Sequence, residues 1–217
     1  LEIARRVVDR EALGNVRLRC ADLGNADTFA KLALPVADFA VCANVLISPE
    51  PVCRQNILRA ISATLRPGGR LLLLVPSCSS ALNIREQHGR WVAERRRQGF
   101  RPDLKLEAHE AQSVADERHG VYCRAGVRTK HYRMPELRAL LQEAGLGTVL
   151  CARRVEYSWS TEFDEPYDFL EDDERVPPPF DWLVVASKDE RREERGRPAR
   201  PSSAPQPRLR ARSVALR

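Results

Sequence analysis

Residues 37–77 read ADFAVCANVLISPEPVCRQNILRAISATLRPGGRLLLLVPS. Residues 39–47 form an almost unbroken apolar run, and RLLLLV at 70–75 forms a second. Runs of this kind suit strands buried on both faces of a parallel sheet covered by helices. Between them lies a helical segment long enough for a crossover. Pro51 suits its first turn, Ile57, Leu58, Ile61 and Leu65 make one apolar stripe, and Pro67-Gly68-Gly69 stops it. The stretch is thus a strand–helix–strand unit with an expected right-handed crossover. Asn44 falls at the carboxyl end of the first strand, where open parallel sheets bind ligands. A polar Asn in that run needs a partner, either backbone or ligand.

DFAVCANVL, a helix ending in ILRAISATLRPGG, and then RLLLLVPS resemble the fourth strand, fourth helix and fifth strand of a class I S-adenosylmethionine-dependent methyltransferase. The resemblance implies a Rossmann-like three-layer α/β sandwich whose sheet is mostly parallel with an antiparallel last strand. Its strand order would be 3-2-1-4-5-7-6.

The rest of the chain follows that order of signals. Residues 1–11 read as a helix with Leu1, Ala4, Val7 and Val8 on one face, and Gly14-Asn15 turns the chain. VRLRC at 16–20 alternates like a strand, and in the family scheme it is strand three. Asp22 and Leu23 then match the family's adenine site, where a carboxylate accepts from the adenine amino group and an apolar neighbour packs on the ring. The plainer alternative is that Asp22 caps the following turn. Asn44 and Val45 match the portion beside the methionine and adenosine of S-adenosyl-L-methionine.

Residues 78–98 read as a charged, solvent-facing helix with an incomplete apolar face at Leu82, Ile84, Trp91 and Val92, broken at Gly89. Arg95-Arg96-Arg97 belongs to its solvated side. Residues 100–126 are polar and poorly periodic, and read as a substrate-side lid. VRTKHYR at 127–133 precedes a helix that Pro135 starts and Gly145 ends, striped by Leu137, Leu140 and Leu141. GTVLCARRV at 147–155 and FDWLVVA at 180–186 read as the last two strands. His131 and Tyr132 are the candidates for proton handling near the substrate, since an imidazole of near-neutral pKa can deprotonate an oxygen or nitrogen. The alternative for His131 is an ordinary core-edge histidine. His88, His109 and His119 have no ligand-like spacing, and no metal site is expected. Tyr157 and Trp159 line a pocket or pack under a loop, and the acidic run 171–174 is a solvated loop.

The chain has 217 residues, 43% of them hydrophobic, which suits one domain with a core. Six cysteines without CxxC spacing point to small core residues in a reducing, cytoplasmic compartment. No apolar run is long enough to span a bilayer, so no membrane partner is expected. From 188 to 217 there are ten Lys/Arg and four Asp/Glu, a balance equal to the whole chain's net charge of +6. The body is therefore near neutral, and nucleic acid is not an expected partner beyond weak contacts of the tail. The resemblance implies that residues 1–187 form one partial methyltransferase domain, with 78–133 holding a helix and a substrate-side insertion. Residues 188–217, rich in Arg and Pro, are expected to be disordered.

The family's glycine-rich GxGxG turn after the first strand is absent, as is the acidic residue that follows the second. The resemblance begins just after both, so the first two strands are missing. Without them the chain is expected to be marginal or rearranged and to bind the cofactor poorly. The resemblance implies methyl transfer from S-adenosyl-L-methionine to a small-molecule acceptor. A rival is a non-catalytic, methyltransferase-like interaction protein that has lost the cofactor. A nucleotide-dependent oxidoreductase is disfavoured, because no Tyr-x-x-x-Lys pair is present.

Overall fold

A computed structural model describes residues 1–25, 29, 31–99, 113–124, 126–159 and 176–189. The acidic run at 171–174, His109, most of the proposed lid and nearly all of the basic tail lie outside these residues.

The elements run α1 (Glu2–Arg10), β1 (Ala37–Ala43), α2 (Pro51–Thr64), β2 (Leu65–Pro76), α3 (Cys78–Arg97), β3 (Ser113–Asp116), β4 (Val121–Arg124), β5 (Val127–Lys130), α4 (Met134–Glu143), β6 (Thr148–Glu156) and β7 (Phe180–Ser187). The main sheet has the order β1-β2-β7-β6. β1 pairs parallel with β2, and β7 runs antiparallel to both β2 and β6. These are the order and directions of strands 4-5-7-6 in the scheme above. The chain therefore has a Rossmann-like α/β fold with an antiparallel last strand.

The core lies on one face of this sheet. β2 alternates, so that Leu71, Leu73 and Val75 are fully buried while Leu72 and Leu74 on the opposite face are only partly so. Val184 and Ala186 of β7 join the buried row. The expected stripe of α2 (Ile57, Leu58, Ile61 and the adjoining Leu65) closes over it, as do Leu137 and Leu141 of α4. Each buried leucine or isoleucine contributes about 1.5–3 kcal/mol.

Four expectations need correction. β1 is not buried on both faces: Phe39 is 50% and Val41 64% exposed. It is an edge strand of the described sheet, and no described element covers that side of it. Residues 16–20 form no strand, because no described strand lies along the free edge of β1 for them to join. Gly89 does not break α3, which runs on to Arg97; the residue is exposed, and a single helical glycine costs only about 1 kcal/mol. Pro67-Gly68-Gly69 lies inside β2 rather than ahead of it. The helix stops earlier, where Leu65 turns extended, and Lys188 Nζ donates to the terminal carbonyls of Ser62 and Leu65 at 2.7 Å each. Gly68 adopts a left-handed φ of 70°, and Gly69 is crowded: a Cβ there would meet the Arg66 carbonyl at 2.8 Å.

The helix read at the start of the chain forms as α1, but none of its residues is buried. β3, β4 and β5 make a separate three-stranded antiparallel sheet that the weak periodicity around it did not reveal. Its β3–β4 turn is held by Asp116, whose carboxylate takes the His119 amide at 3.1 Å and its ring Nδ1 at 2.7 Å. The His119 hydrogen bonds hold the Asp116 carboxyl below its ordinary range.

Candidate functional site at the carboxyl ends of β1 and β2

β1 and β2 are parallel, so their carboxyl ends open on the same side of the sheet. There the chain leaves β1 through Asn44, which takes a left-handed φ of 53° while its amide donates to the Leu74 carbonyl. Asparagine is one of the few residues that accept this conformation readily. β2 hands over to α3 at the same end. Ser77 caps that helix, its hydroxyl accepting from the Ser80 amide at 3.3 Å, and the Ser80 hydroxyl in turn accepts from the Phe180 amide at 2.8 Å.

Between these ends lies a cleft of ≈180 Å³. Asn44 and Ile47 line it from the turn after β1, Ser80 and Ile84 from α3, His131 from the segment before α4, and Phe180 from β7. Ligand pockets commonly run to roughly 300–1,000 Å³, so this cleft takes only part of a cofactor-and-acceptor pair.

His131 is partly buried in the cleft wall. Its Nδ1 lies 3.2 Å from the Thr129 carbonyl, and its ring meets Tyr122 edge to face with centroids 4.8 Å apart. A carbonyl only accepts, so Nδ1 carries the proton and the lone pair of the neutral ring sits on Nε2. Burial lowers the imidazole to about 4; the Thr129 carbonyl opposes this, and the Lys130 charge adds to it. The ring is therefore neutral at pH 7.

Tyr132 faces the other way. It is fully buried, its hydroxyl donates to the Leu46 carbonyl at 2.6 Å, and burial pushes its pKa up. The two adjacent residues read as proton handlers thus part company: His131 lines the cleft and Tyr132 does not. Asp22 is exposed, and its Oδ1 accepts from the Gly24 amide at 2.9 Å, the turn-capping geometry. That turn docks on α2, where Asn56 Nδ2 donates to the Gly24 carbonyl at 2.9 Å and a Cβ on Gly24 would meet Cys53 Sγ at 2.8 Å. Leu23 packs against the main core, and Val45 is 43% exposed beside Asn44. Asp22, Leu23 and Val45 do not line the cleft. Both turns nevertheless flank the start of α2, at the carboxyl end of β1.

Two residues around the site went unnoticed in the sequence. Lys130 is fully buried, its Nζ placed 2.6 Å from Glu136 Oε1 and donating to the His119 carbonyl at 2.5 Å. Burial lowers its pKa while Glu136 opposes the shift. Arg54 is also buried, and it donates to the Ser48 and Pro49 carbonyls at 2.7 and 2.8 Å. A cation in the first turn of a helix opposes the helix dipole, and that was its one legible signal.

The strand order, the strand directions and the position of the cleft decide the architecture. The fold is Rossmann-like α/β, with the strand order and directions of strands 4-5-7-6 of the class I methyltransferase scheme. No family model and no curated protein matches the chain. Among solved structures, an S-adenosylmethionine-dependent methyltransferase from Methanosarcina mazei is 19% identical, with 77% of this chain and 66% of that one aligned and a TM-score of 0.42. A 1,6-didemethyltoxoflavin-N1-methyltransferase from Burkholderia thailandensis, with bound 1,6-didemethyltoxoflavin and S-adenosylhomocysteine, is 18% identical over 70% of this chain and 44% of its own, at 0.38. The YcgJ protein of Bacillus subtilis is 12% identical over 88% and 78%, at 0.49. The chain spans 66% and 44% of the first two proteins' lengths. At these values the fold assignment rests on this chain's own strand order.

Among the described residues no group of three or more His, Cys, Asp or Glu is placed to hold a metal, and no helix is long and apolar enough to cross a membrane. All six cysteines are free thiols.

Proposed function

We propose that the protein transfers the methyl group of S-adenosyl-L-methionine to a nucleophilic oxygen, nitrogen or carbon of a small molecule. The observation that carries this reading is the meeting of Asn44 and His131 in one cleft at the carboxyl ends of β1 and β2. Of the residues assigned to the cofactor, Asn44 lines the cleft, and Asp22, Leu23 and Val45 lie on the turns beside it. Asn44 and Val45 are exposed at the strand end, and the Asn44 side chain makes no hydrogen bond to the described residues. Asp22 and Leu23 offer a carboxylate and an apolar surface on the adjoining turn. Asp22 and Leu23 would hold the adenine, and Asn44 and Val45 the portion next to it.

When bound, S-adenosyl-L-methionine supplies an electrophilic methyl whose C–S bond breaks as the acceptor's lone pair bonds to carbon. The chain supplies orientation and shelter from water. His131 Nε2 is a fixed lone pair in the cleft, suited to an acceptor that presents an O–H or N–H. A ring of pKa about 4 is a weak base toward a resting alcohol or amine. It holds the donor in line, and takes the proton once methylation has made it acidic. Free thiols throughout support a reducing, cytoplasmic setting.

The second reading, a non-catalytic interaction protein, is favoured by the exposed Phe39 and Val41 on the sheet edge. Calorimetric titration of S-adenosylhomocysteine into the protein separates the two. The methyltransferase reading expects saturable one-to-one binding that weakens in Asp22→Ala and Asn44→Ala. No binding favours the interaction protein.

A further inference from the structure

The turn after β1 is held far more firmly than a surface loop requires. Its carbonyls from Leu46 to Pro49 are all captured, in sequence, by groups outside the turn. The Leu46 carbonyl accepts from the Tyr132 hydroxyl at 2.6 Å, and that of Ile47 from the Lys130 amide at 2.9 Å. The carbonyls of Ser48 and Pro49 both accept from one guanidinium nitrogen of Arg54. Water would satisfy exposed carbonyls at little cost. Here the fold instead buries a phenol and a guanidinium, and leaves Arg54 Nε buried without a hydrogen bond, a destabilising arrangement. At the head of the same turn Asn44 is kept in the left-handed region. Uncommon backbone conformations that their surroundings over-determine are a mark of functional sites.

The donors are arranged around His131. Lys130 and Tyr132 flank it in sequence and both reach the turn, while His131 between them lines the cleft with Asn44 and Ile47. Tyr132 is also tied to the end of β2, its amide donating to the Pro76 carbonyl at 2.8 Å and its carbonyl accepting from the Cys78 amide at 3.0 Å. One residue therefore locks three parts of the site together: the turn after β1, the end of β2 and the histidine.

We infer that Tyr132 is a positioning residue whose hydroxyl, through the Leu46 carbonyl, sets Asn44 and His131 at a fixed separation across the cleft, with Arg54 holding the far half of the same turn. This rests on the reading of the cleft as the methyl-acceptor site. It assigns the Tyr132 hydroxyl a use that neither proton transfer nor core packing supplies.

The test compares wild type, Tyr132→Phe and Arg54→Lys in the natural protein. Two readouts are taken: NMR signals of the Asn44 side-chain amide and the His131 ring across pH, and calorimetric affinity for S-adenosylhomocysteine. Tyr132→Phe is expected to stay folded, to shift both sets of signals, and to move the His131 midpoint upward from about 4 toward the ordinary 6.5 as water enters. Affinity should fall about three- to tenfold, the equivalent of one hydrogen bond. Arg54→Lys keeps the charge but not the two-carbonyl reach, and should shift Asn44 more than His131. A lower melting temperature in both variants with unchanged Asn44 and His131 signals and affinity would overturn the inference, leaving Tyr132 a packing residue. If wild type binds no S-adenosylhomocysteine while Tyr132→Phe still shifts both signals, the cofactor reading fails and the positioning role stands.

Discussion

The covered face of the two central strands and the open face of the two edge strands of the main sheet have opposite fates. On one face Leu71, Leu73, Val75, Val184 and Ala186 are 0% exposed under α2 and α4. On the other, Phe39 and Val41 of β1 are 50% and 64% exposed, and Leu150 of β6 is 51% exposed. In β1 and β2 the central residues are apolar on both sides. Apolar patterning therefore says what a face can bury, and neighbouring elements decide whether it does. The candidate cleft lies at the end of the strands, where both faces meet the turns. Its geometry depends on α2, α3 and the segment before α4, not on cover for the open face.

Substitutions on the two faces sharpen this contrast. Leu73→Ala removes a fully buried side chain between two helices and should cost about 2–5 kcal/mol in chemical denaturation. Val41→Thr keeps the branched shape on the open face and should change stability by less than about 0.5 kcal/mol. Equal losses at both positions would mean that the open face is covered in solution.

A loss of similar size to that of Leu73→Ala is expected from pH. The folded His131 titrates at about 4, below the ordinary 6.5 of an unfolded histidine. Between those values the unfolded chain binds a proton that the folded one does not, so stability falls as pH drops from about 6.5 to 4. The full loss for this group is about 2–4 kcal/mol, complete below pH 4. His131→Asn should flatten that part of the denaturation profile. An unaltered slope would show that the ring is solvated in the folded protein.

Much of the architecture was legible because it rests on periodicity. The α2 stripe, the two strands around it and the close through α4, β6 and β7 each follow from apolar spacing and from Pro and Gly punctuation. The run 39–47 misled because an apolar edge strand and a buried one read alike. Residues 16–20 misled because alternation marks strand propensity, while a strand also needs a ladder to join. At the site, Asn44 was legible as a polar residue at a strand end. His131 was legible as a type of residue, but its tautomer and lowered pKa depend on the Thr129 carbonyl and on burial. The capture of the Leu46 and Ile47 carbonyls by Tyr132 and Lys130 arises from contacts tens of residues apart in the chain. Local pattern carries no trace of them.

The most direct test of the central claim, that chemistry is done where Asn44 and His131 meet, follows S-adenosylhomocysteine binding residue by residue in the isotopically labelled natural protein. The account expects saturable shifts at Leu23, Asn44, Val45 and His131, with none at Phe39 or Val41 on the open edge. Shifts confined to that edge, or no shifts at all, would contradict it.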